Sequence, residues 1–318
     1  MSVFKRKKYN SVVAGHDWKS QLTLQSMVLP ALIVVILISY FPMYGVSIAF
    51  KDYNIFKGIA KSPIASNNGF EHFIDFFSTE SCGRILFNTV YIAFLKLISL
   101  TWPPVVLAVL LNELKNAKVM KLSQTLSYLP HFIGWSVAYG IFYNLLNPSA
   151  GAINVLMQDW GLISKPINFL SEEGFYRPMI ILTGLWKNIG WNSIIYLGVI
   201  CSIDQGLYEA LAIDGGNRWH KFRYITWPHL KPTFAILFIL ECGKIMSGGD
   251  GFDQAYAFGN PNNRQVADIL DTYIMRTGFE NGRYSYATAV GLFKSVVNLI
   301  LLLLSNKISK VMTNESLF

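Results

Sequence analysis

Long apolar runs separated by polar segments dominate this chain. The runs cover about residues 24–50, 85–111, 126–146, 179–203, 233–246 and 286–308. Several of them reach the roughly 20 residues with which an α-helix crosses about 30 Å of hydrocarbon. Prolines within the first two runs predict kinks there. The pattern therefore predicts an all-α membrane protein with six transmembrane helices.

Composition supports the same class. The 318 residues are 52% hydrophobic and only 14% charged, with a mean hydropathy of +0.36. A large soluble protein with buried elements is the alternative, but it does not explain apolar runs of membrane-spanning length. The three cysteines have no spacing typical of a disulfide framework or of a zinc site. We expect them to be small apolar fillers, and we expect no metal site.

The distribution of basic residues predicts the orientation. If the N-terminus is cytoplasmic, the inner segments hold 14 lysines and arginines and the longer outer segments hold 9, as the positive-inside tendency requires. Both termini are then cytoplasmic, and the basic run Lys5–Lys8 is a lipid-headgroup anchor. A nucleic-acid tail or a signal peptide explains that run less well, and we expect no nucleic-acid partner. The predicted divisions are a basic cytoplasmic segment (1–23), the first helix with its outer loop (24–84), a five-helix core (85–308) and a cytoplasmic tail (309–318).

The predicted cytoplasmic segment 204–231 contains more helix and turn signals than a simple connection between two spans needs. Residues 209–214 favour a short helix, and Gly215 and Gly216 permit a sharp reversal of the chain. A second, basic helical piece follows, which we expect to stop before Pro228. A loop with this much structure indicates a docking site for another protein.

The spacing in this segment resembles the EAA motif of ABC importer permeases, within the sugar and polysaccharide permeases. That motif has Glu-Ala-small, then Asp-Gly, an aromatic residue seven positions after the glycine, and Ile-x-x-Pro. Leu211 stands where the motif has alanine, and we expect it to add a larger side chain to the docking face. The resemblance covers roughly residues 85–308 and implies a type I ABC importer-like fold, in which the loop helix inserts into an ATPase. It assigns docking and anchoring to Glu209, Ala210, Leu211, Asp214, Gly215, Gly216, Phe222, Ile225 and Pro228.

The resemblance also implies a division of labour. This chain is expected to be one permease subunit of an ATP-driven oligosaccharide importer, a multi-pass protein of the bacterial plasma membrane. Its expected partners are a different permease chain forming a heterodimer, two cytoplasmic ABC ATPases, an extracellular solute-binding protein and membrane lipid. The sequence has no phosphate-binding loop and no H-E-x-x-H. We therefore expect no catalytic residue and no cofactor in this chain, with ATP and Mg²⁺ bound by the partner ATPase.

Four lysines lie inside the predicted spans. Lys96, Lys187 and Lys294 are roughly mid-span, and Lys244 lies near the outer end of the fifth. A charge there costs about 2.5–3.5 kcal/mol on insertion scales. Glu241 is positioned to pair with Lys244 at i,i+3, whereas the other three have no acidic partner within a span. They predict either a pathway for acidic, uronate-containing glycans, or side chains that snorkel or pair with the second permease.

The fourth span adds an aromatic and amide cluster. Its side chains can stack on sugar rings and bind hydroxyl groups, and they lie well inside the span. An interfacial aromatic belt is the competing interpretation. The predicted sugar-facing cluster consists of Trp186, Lys187, Asn188, Trp191 and Asn192.

Two further features bear on function. Residues 248–261 are rich in glycine and predict a flexible turn at the outer mouth, and Asp250 and Asp253 lack the spacing of a calcium loop. An ion-coupled secondary transporter of small solutes is the alternative function. It is expected to show internal repeats and acidic residues within its spans. We see no repeat, and Glu241 is the sole acid within a span.

Overall fold

The computed structural model of the protein describes residues 18–249 and 251–313, and the regular secondary structure of these residues consists of helices joined by turns and loops. Within them the pairing of extended backbone is limited to an isolated bridge between Lys51 and Ile64. The basic run Lys5–Lys8 and Asp250 lie outside the described residues. In chain order the α-helices are α1 (Trp18–Val35), α2 (Gly58–Lys61), α3 (Glu71–Ser78), α4 (Cys82–Asn112), α5 (Ala117–Tyr128), α6 (Trp135–Leu146), α7 (Ala152–Asp159), α8 (Glu173–Cys201), α9 (Gln205–Ile213), α10 (Arg218–Lys221), α11 (Trp227–Cys242), α12 (Phe252–Phe258), α13 (Arg264–Ala267), α14 (Leu270–Met275) and α15 (Tyr284–Thr313).

Helices long and apolar enough to cross a membrane coincide with the predicted spans. Among the described residues three such stretches occur, Gln25–Phe50, Cys82–Asn112 and Tyr284–Ile308. A fourth arises if α8 and α9, which are bent by 71°, are counted together. The first stretch continues α1 through a π-helical turn and a 3₁₀ segment. The first, second, fourth and sixth predicted spans are thus helical, while the count of six crossings and the domain divisions stay predictions.

The third predicted span is not one continuous helix. After α5 a 3₁₀ turn covers Leu129–Phe132, and the backbone is extended at Ile133 and Gly134 before α6 begins. Pro130 lies in that turn, where it has no N–H to donate and disfavours a regular helix. The prediction of one helix over 126–146 is therefore wrong, and the break lies near the N-terminal end of that range.

The helix that follows the polar segment also differs from the prediction. It runs without interruption from α10 through a π-helical turn, Phe222–Thr226, into α11. Pro228 lies in the first turn of α11, where the π-turn accommodates the missing N–H. The predicted stop before Pro228 is wrong. The helix ends instead at Cys242, and Lys244 lies just beyond it.

The core lies along α4 and α8, which pack together over much of their length. Towards the α9 end, both helices share an apolar cluster with α11 that includes Val105, Tyr196 and Leu230. Towards the other end, Ile180 on α8 packs with Phe258 on α12. Burial of each such large side chain stabilises the fold by about 1.5–3 kcal/mol. This packing fixes α8 and α11, the two helices that carry the polar segment.

The segment 248–283 is packed against the core rather than forming a flexible turn. Gln254 is 1% exposed, and its amide donates to the Ile180 carbonyl at 2.7 Å. The buried amide of Asn263 donates to the Leu170 carbonyl at 3.0 Å. Buried amides with satisfied donors hold the segment in one place. The prediction of flexibility over 248–261 is wrong for the described residues.

Candidate functional site

The turn between α9 and α10 depends on two glycines. Gly215 adopts the left-handed conformation with φ +75°. Its N–H donates to the Ala212 carbonyl at 3.2 Å, and the N–H of Gly216 donates to the Leu211 carbonyl at 2.8 Å. These are the two bonds of a Schellman motif, which closes a helix sharply. A Cβ on Gly216 would lie 2.5 Å from Cγ of Leu211, so a side chain does not fit there.

The chain after this turn is fastened to the membrane helices. Asn217 caps α10 by accepting from the His220 N–H at 3.0 Å, and the His220 ring accepts from the Asn217 N–H at 3.3 Å. Ile225 is buried. The hydroxyls of Tyr208 on α9 and Thr226 lie 3.0 Å apart. Hence α9, α10 and the start of α11 form one braced unit.

Tryptophan contacts extend this brace to α4. Trp227 at the start of α11 stacks on Trp102 of α4, with ring centroids 5.5 Å apart and planes at 22°. Phe222 lies 6.1 Å from Trp227. Arg218 forms an exposed ion pair of 3.5 Å with Glu113 at the end of α4. Sequence reasoning found Phe222 but missed Trp102 and Trp227, because their pairing joins helices distant in sequence.

The face of α9 that points away from the bundle is open. Glu209, Ala210 and Asp214 are exposed, and Ile213 has 87% of its surface exposed. Exposed apolar side chains beside acidic ones are typical of a surface that another protein covers. Leu211 is half-buried and leans over Gly216. The expectation that Leu211 enlarges the docking face stays a prediction.

The Lys187 side chain binds the backbone at the break in the third predicted span. It is buried, and its ammonium donates to the carbonyls of His131 and Pro130. It also lies 5.5 Å from the ring centre of Trp135. The Pro130 carbonyl also accepts from the Ile133 N–H at 3.2 Å, so Lys187 is the donor that matters most for the His131 carbonyl at the interrupted helix. The contacts give Lys187 a structural role, and a role in the substrate pathway stays a prediction.

The next polar side chains of α8 contact the same break. Asn188 lies 3.1 Å from Nδ1 of His131. Trp191 stacks on the His131 ring with centroids 4.4 Å apart and planes at 1°. His131 was not among the predicted site residues, although a histidine beside a proline in an apolar segment was a possible signal. The structure brings Lys187, Asn188 and Trp191 together around it.

The remaining two residues of the predicted cluster lie apart. Trp186 packs edge-on against Phe142 of α6, with centroids 5.4 Å apart. Asn192 instead lines a small cavity that it shares with Tyr196 and Glu241. The five residues therefore do not form one surface.

Two of the other lysines have acidic partners. Lys294 on α15 forms an ion pair with Asp271 on α14, an acid that lies outside the predicted spans. Lys244 pairs with Glu241 at 3.2 Å, as the i,i+3 spacing predicted. Lys96 is buried against the 248–251 segment, since a Cβ on Gly251 would lie 2.6 Å from its Nζ.

The segment between α12 and α15 holds a second charged cluster. Arg276 forms a two-pronged ion pair with the buried carboxylate of Asp268. This hydrogen bonding raises the pKa of the Arg276 guanidinium, and burial raises the pKa of the neighbouring Tyr273. Arg264 is exposed, and no ion pair joins it to any acid within 18–249 or 251–313. In those same residues no three His, Cys, Asp or Glu side chains are grouped closely enough to hold a metal ion.

Comparisons with known proteins agree with this arrangement. The profile of a family described as the binding-protein-dependent transport system inner membrane component matches residues 104–313. Protein LplB of Bacillus subtilis is 39% identical over 308 residues, covering 96% of this chain and 95% of that protein. The polygalacturonan/rhamnogalacturonan transport system permease protein YteP of the same organism is 38% identical over 316 residues, covering 99% and 96%.

Two solved structures share the whole architecture. One is a bacterial ABC transporter involved in the import of the acidic polysaccharide alginate, with a TM-score of 0.83 and 35% identity over 93% of this chain and 98% of that one. The other is the alginate ABC transporter in complex with alginate pentasaccharide-bound periplasmic protein, with a TM-score of 0.84 and 34% identity over 95% and 98%. The helical arrangement is that of a type I ABC importer permease.

Proposed function

Because the chain belongs to the family of binding-protein-dependent transport system inner membrane components, we propose that it carries acidic oligosaccharides across a bacterial plasma membrane. It is a permease component of an ABC oligosaccharide importer and not an enzyme. In our proposal two cytoplasmic ATPase subunits bind and hydrolyse ATP, and their movement reaches the membrane helices through α9 and α10.

The coupling role is supported by α9, which is exposed and is held in place by its neighbours. Its Schellman turn and the contact between Tyr208 and Thr226 make it stiff, and stiffness lets a small displacement at one end move the other. Glu209, Ala210 and Asp214 face outwards, where the small Ala210 permits close approach by another backbone. Gly215, Gly216, Phe222, Ile225 and Pro228 set the turn and its attachment.

The rest of the proposed assembly follows from the exposed surfaces and the relatives. Six crossings with both termini in the cytoplasm put α9 on the side where an ATPase can reach it. A second, different permease chain completes the pathway, and lipid covers the apolar outer faces. An extracellular solute-binding protein delivers the glycan, in keeping with the periplasmic protein in the similar alginate complex.

The substrate class rests on the relatives. One is named for polygalacturonan and rhamnogalacturonan, and both similar structures concern the acidic polysaccharide alginate. Such polymers carry carboxylates on their sugar rings, which charge-assisted hydrogen bonds from basic side chains recognise. We propose an oligosaccharide with uronate units as the cargo of this chain.

A charge reversal on α9 tests the coupling proposal. In Glu209→Lys the docking charge is inverted while the spans are untouched, and such a change at an interface costs about 2–5 kcal/mol. We expect the ATPase subunits to be lost on co-purification, and oligosaccharide-stimulated ATP hydrolysis to fall to the basal rate. Glu80→Lys is the matched control, since Glu80 is an exposed glutamate of the predicted outer segment.

Uptake into proteoliposomes completes the test. Transport by the wild-type complex is expected to require ATP on the side of the bilayer where the ATPase subunits are bound. It is expected to stay unchanged when ion gradients across the bilayer are dissipated. Retention of the ATPase and of stimulated hydrolysis by Glu209→Lys would remove the coupling role from α9. Uptake driven by an ion gradient alone would favour a secondary transporter.

A further inference from the structure

Two cavities adjoin on the α6–α12 side of the protein and share Tyr256. The inner cavity, of about 490 Å³, is lined by Trp135, Ser136 and Tyr139 of α6 together with Asp253 and Tyr256 of α12. The outer cavity, of about 340 Å³, extends from Tyr256 towards Asn260, Arg264 and Arg276. Together they make one groove, which we call the α6–α12 groove.

The depth of the groove follows from its contacts with α8. Trp135 lies beside Lys187. Lys187 is roughly 20 Å along α8 from Glu173, the first residue of that helix, at about 1.5 Å per residue. Gln254, two positions before Tyr256, binds the Ile180 carbonyl, roughly 10 Å along the same helix. The groove therefore runs from the middle of α8 towards the end that begins at Glu173.

Aromatic rings form its inner wall. Trp135 and Tyr139 lie one helical turn apart on α6, and both pack at steep angles against Phe258. Tyr256 stacks one face on Phe252 at 5.6 Å and has 54% of its surface exposed, so its other face is open. Open aromatic faces are suited to the apolar faces of pyranose rings, and the Asp253 carboxylate accepts hydrogen bonds from hydroxyls.

Arg264 is the cation of the groove that remains open to a ligand. Arg276 is occupied by the Asp268 carboxylate, whereas Arg264 is exposed and makes no ion pair within the described residues. Glu280 also lines the outer cavity, and its charge, like that of Asp268, stabilises the Arg276 cation. A guanidinium binds carboxylates in a bidentate manner, so an anionic group fits best at Arg264.

We propose that the α6–α12 groove is a binding site for the entering oligosaccharide, with sugar rings on Trp135, Tyr139 and Tyr256 and a uronate carboxylate on Arg264. This inference rests on the proposed function and places recognition of the acidic group outside the mid-span lysines. Lys187 and Lys294 are engaged by carbonyls and by Asp271 respectively. The exposed guanidinium of Arg264 has no such competitor within the described chain.

The test uses the whole complex, with its second permease and ATPase subunits, in nanodiscs. Ser136 is exposed in the groove, so Ser136→Cys in a Cys201→Ser background reports occupancy through its rate of thiol labelling. The probes are an oligogalacturonate and its methyl ester of the same length, which is uncharged. We expect the acidic probe to protect the thiol at lower concentration than the ester.

Variants separate the two parts of the site. Tyr256→Leu should weaken protection by both probes about tenfold. Arg264→Gln should weaken protection by the acidic probe about ten- to a hundredfold and leave the ester unchanged, and Arg264→Lys should recover part of that loss. Tyr44→Leu and Arg84→Gln are the matched controls, because both residues are exposed and lie far from the groove in sequence.

The outcomes are distinct. If both Tyr256→Leu and Arg264→Gln show the same thiol protection as the wild type, the proposed binding site in the groove is refuted. Oligosaccharide uptake by these variants would still support the proposed function. A thiol at position 136 that is unreactive before any glycan is added would show that a subunit covers the face, which also overturns the proposal. Absence of ATP-dependent uptake of either probe by the wild-type complex would instead refute the proposed function.

Discussion

Replacement of Gly215 by alanine offers the sharpest perturbation of the proposed lever. Gly215 has φ +75°, and a Cβ there meets no atom within 4 Å. The change therefore adds backbone strain without a collision. A left-handed conformation costs a residue other than glycine about 1–2 kcal/mol. The two hydrogen bonds of the turn contribute about 1 kcal/mol each, so the strain is comparable with what holds the turn closed.

This balance predicts partial uncoupling. A cost of about 1–2 kcal/mol shifts the equilibrium between closed and open turns about 5–30-fold. We expect Gly215→Ala to keep the ATPase subunits bound but to lower the amount of oligosaccharide transported per ATP hydrolysed. Gly215→Asn should behave nearly as the wild type, because asparagine tolerates the left-handed region. The measurement is uptake and hydrolysis in the same proteoliposomes.

The chain itself supplies the control. Gly161 closes α7 with φ +70°, and a Cβ on it would likewise meet no atom within 4 Å. Its turn has the same pair of bonds, from Gly161 to Gln158 and from Leu162 to Met157. Gly161→Ala should cost similar stability without affecting the coupling ratio. Equal uncoupling by both variants, or full coupling in Gly215→Ala, would refute the reasoning.

Three other predictions concern the interior and the topology. Lys187→Met removes the ammonium that donates to the His131 carbonyl, so we expect about 1–3 kcal/mol lower stability in thermal unfolding of the complex and equal losses of acidic and neutral uptake. A loss confined to acidic uptake would favour a pathway role. Asp271→Asn leaves the ammonium of the half-buried Lys294 without its carboxylate and should cost about 1–3 kcal/mol, and the added change Lys294→Met should restore much of the thermal stability. In a cysteine-free background, an impermeant reagent applied outside should label a cysteine at Asn262 but not one at Asn217, and the opposite pattern would invert the predicted orientation.

Local signals allowed much of the coupling segment to be predicted from the sequence. The glycine pair indicated the reversal after residue 214, and the structure has a Schellman turn there. The i,i+3 pair of Glu241 and Lys244 was also predicted and is confirmed at 3.2 Å. In each case the interacting groups lie within a few residues of each other along the chain, so spacing alone determines that they meet.

What could not be predicted joins distant parts of the chain. The partner of Lys294 is Asp271, on a separate short helix, and no pattern along the sequence indicates that these two side chains meet. The packing of the described residues of 248–261 was missed for the same reason, since the Gln254 amide donates to the Ile180 carbonyl and the Thr183 hydroxyl of the distant α8. Composition predicted flexibility there because glycine is permissive, and tertiary hydrogen bonds overrode it.

The break in the third predicted span lies where α8 contacts α5, and α8 leads directly into α9, the helix proposed to move with the ATPase. A Cβ on Gly190 would lie 2.0 Å from the Ser127 carbonyl oxygen, so α5 and α8 touch backbone to backbone. Lys187 and Trp191 hold the break from the same helix, through the His131 carbonyl and ring. Since α9 follows α8 after a bend of 71°, a displacement of α9 would pull on α5 and the break together. The same displacement would reach α6, beyond the extended residues 133–134, through the contact of Trp186 with Phe142, and α6 carries the aromatic wall of the groove.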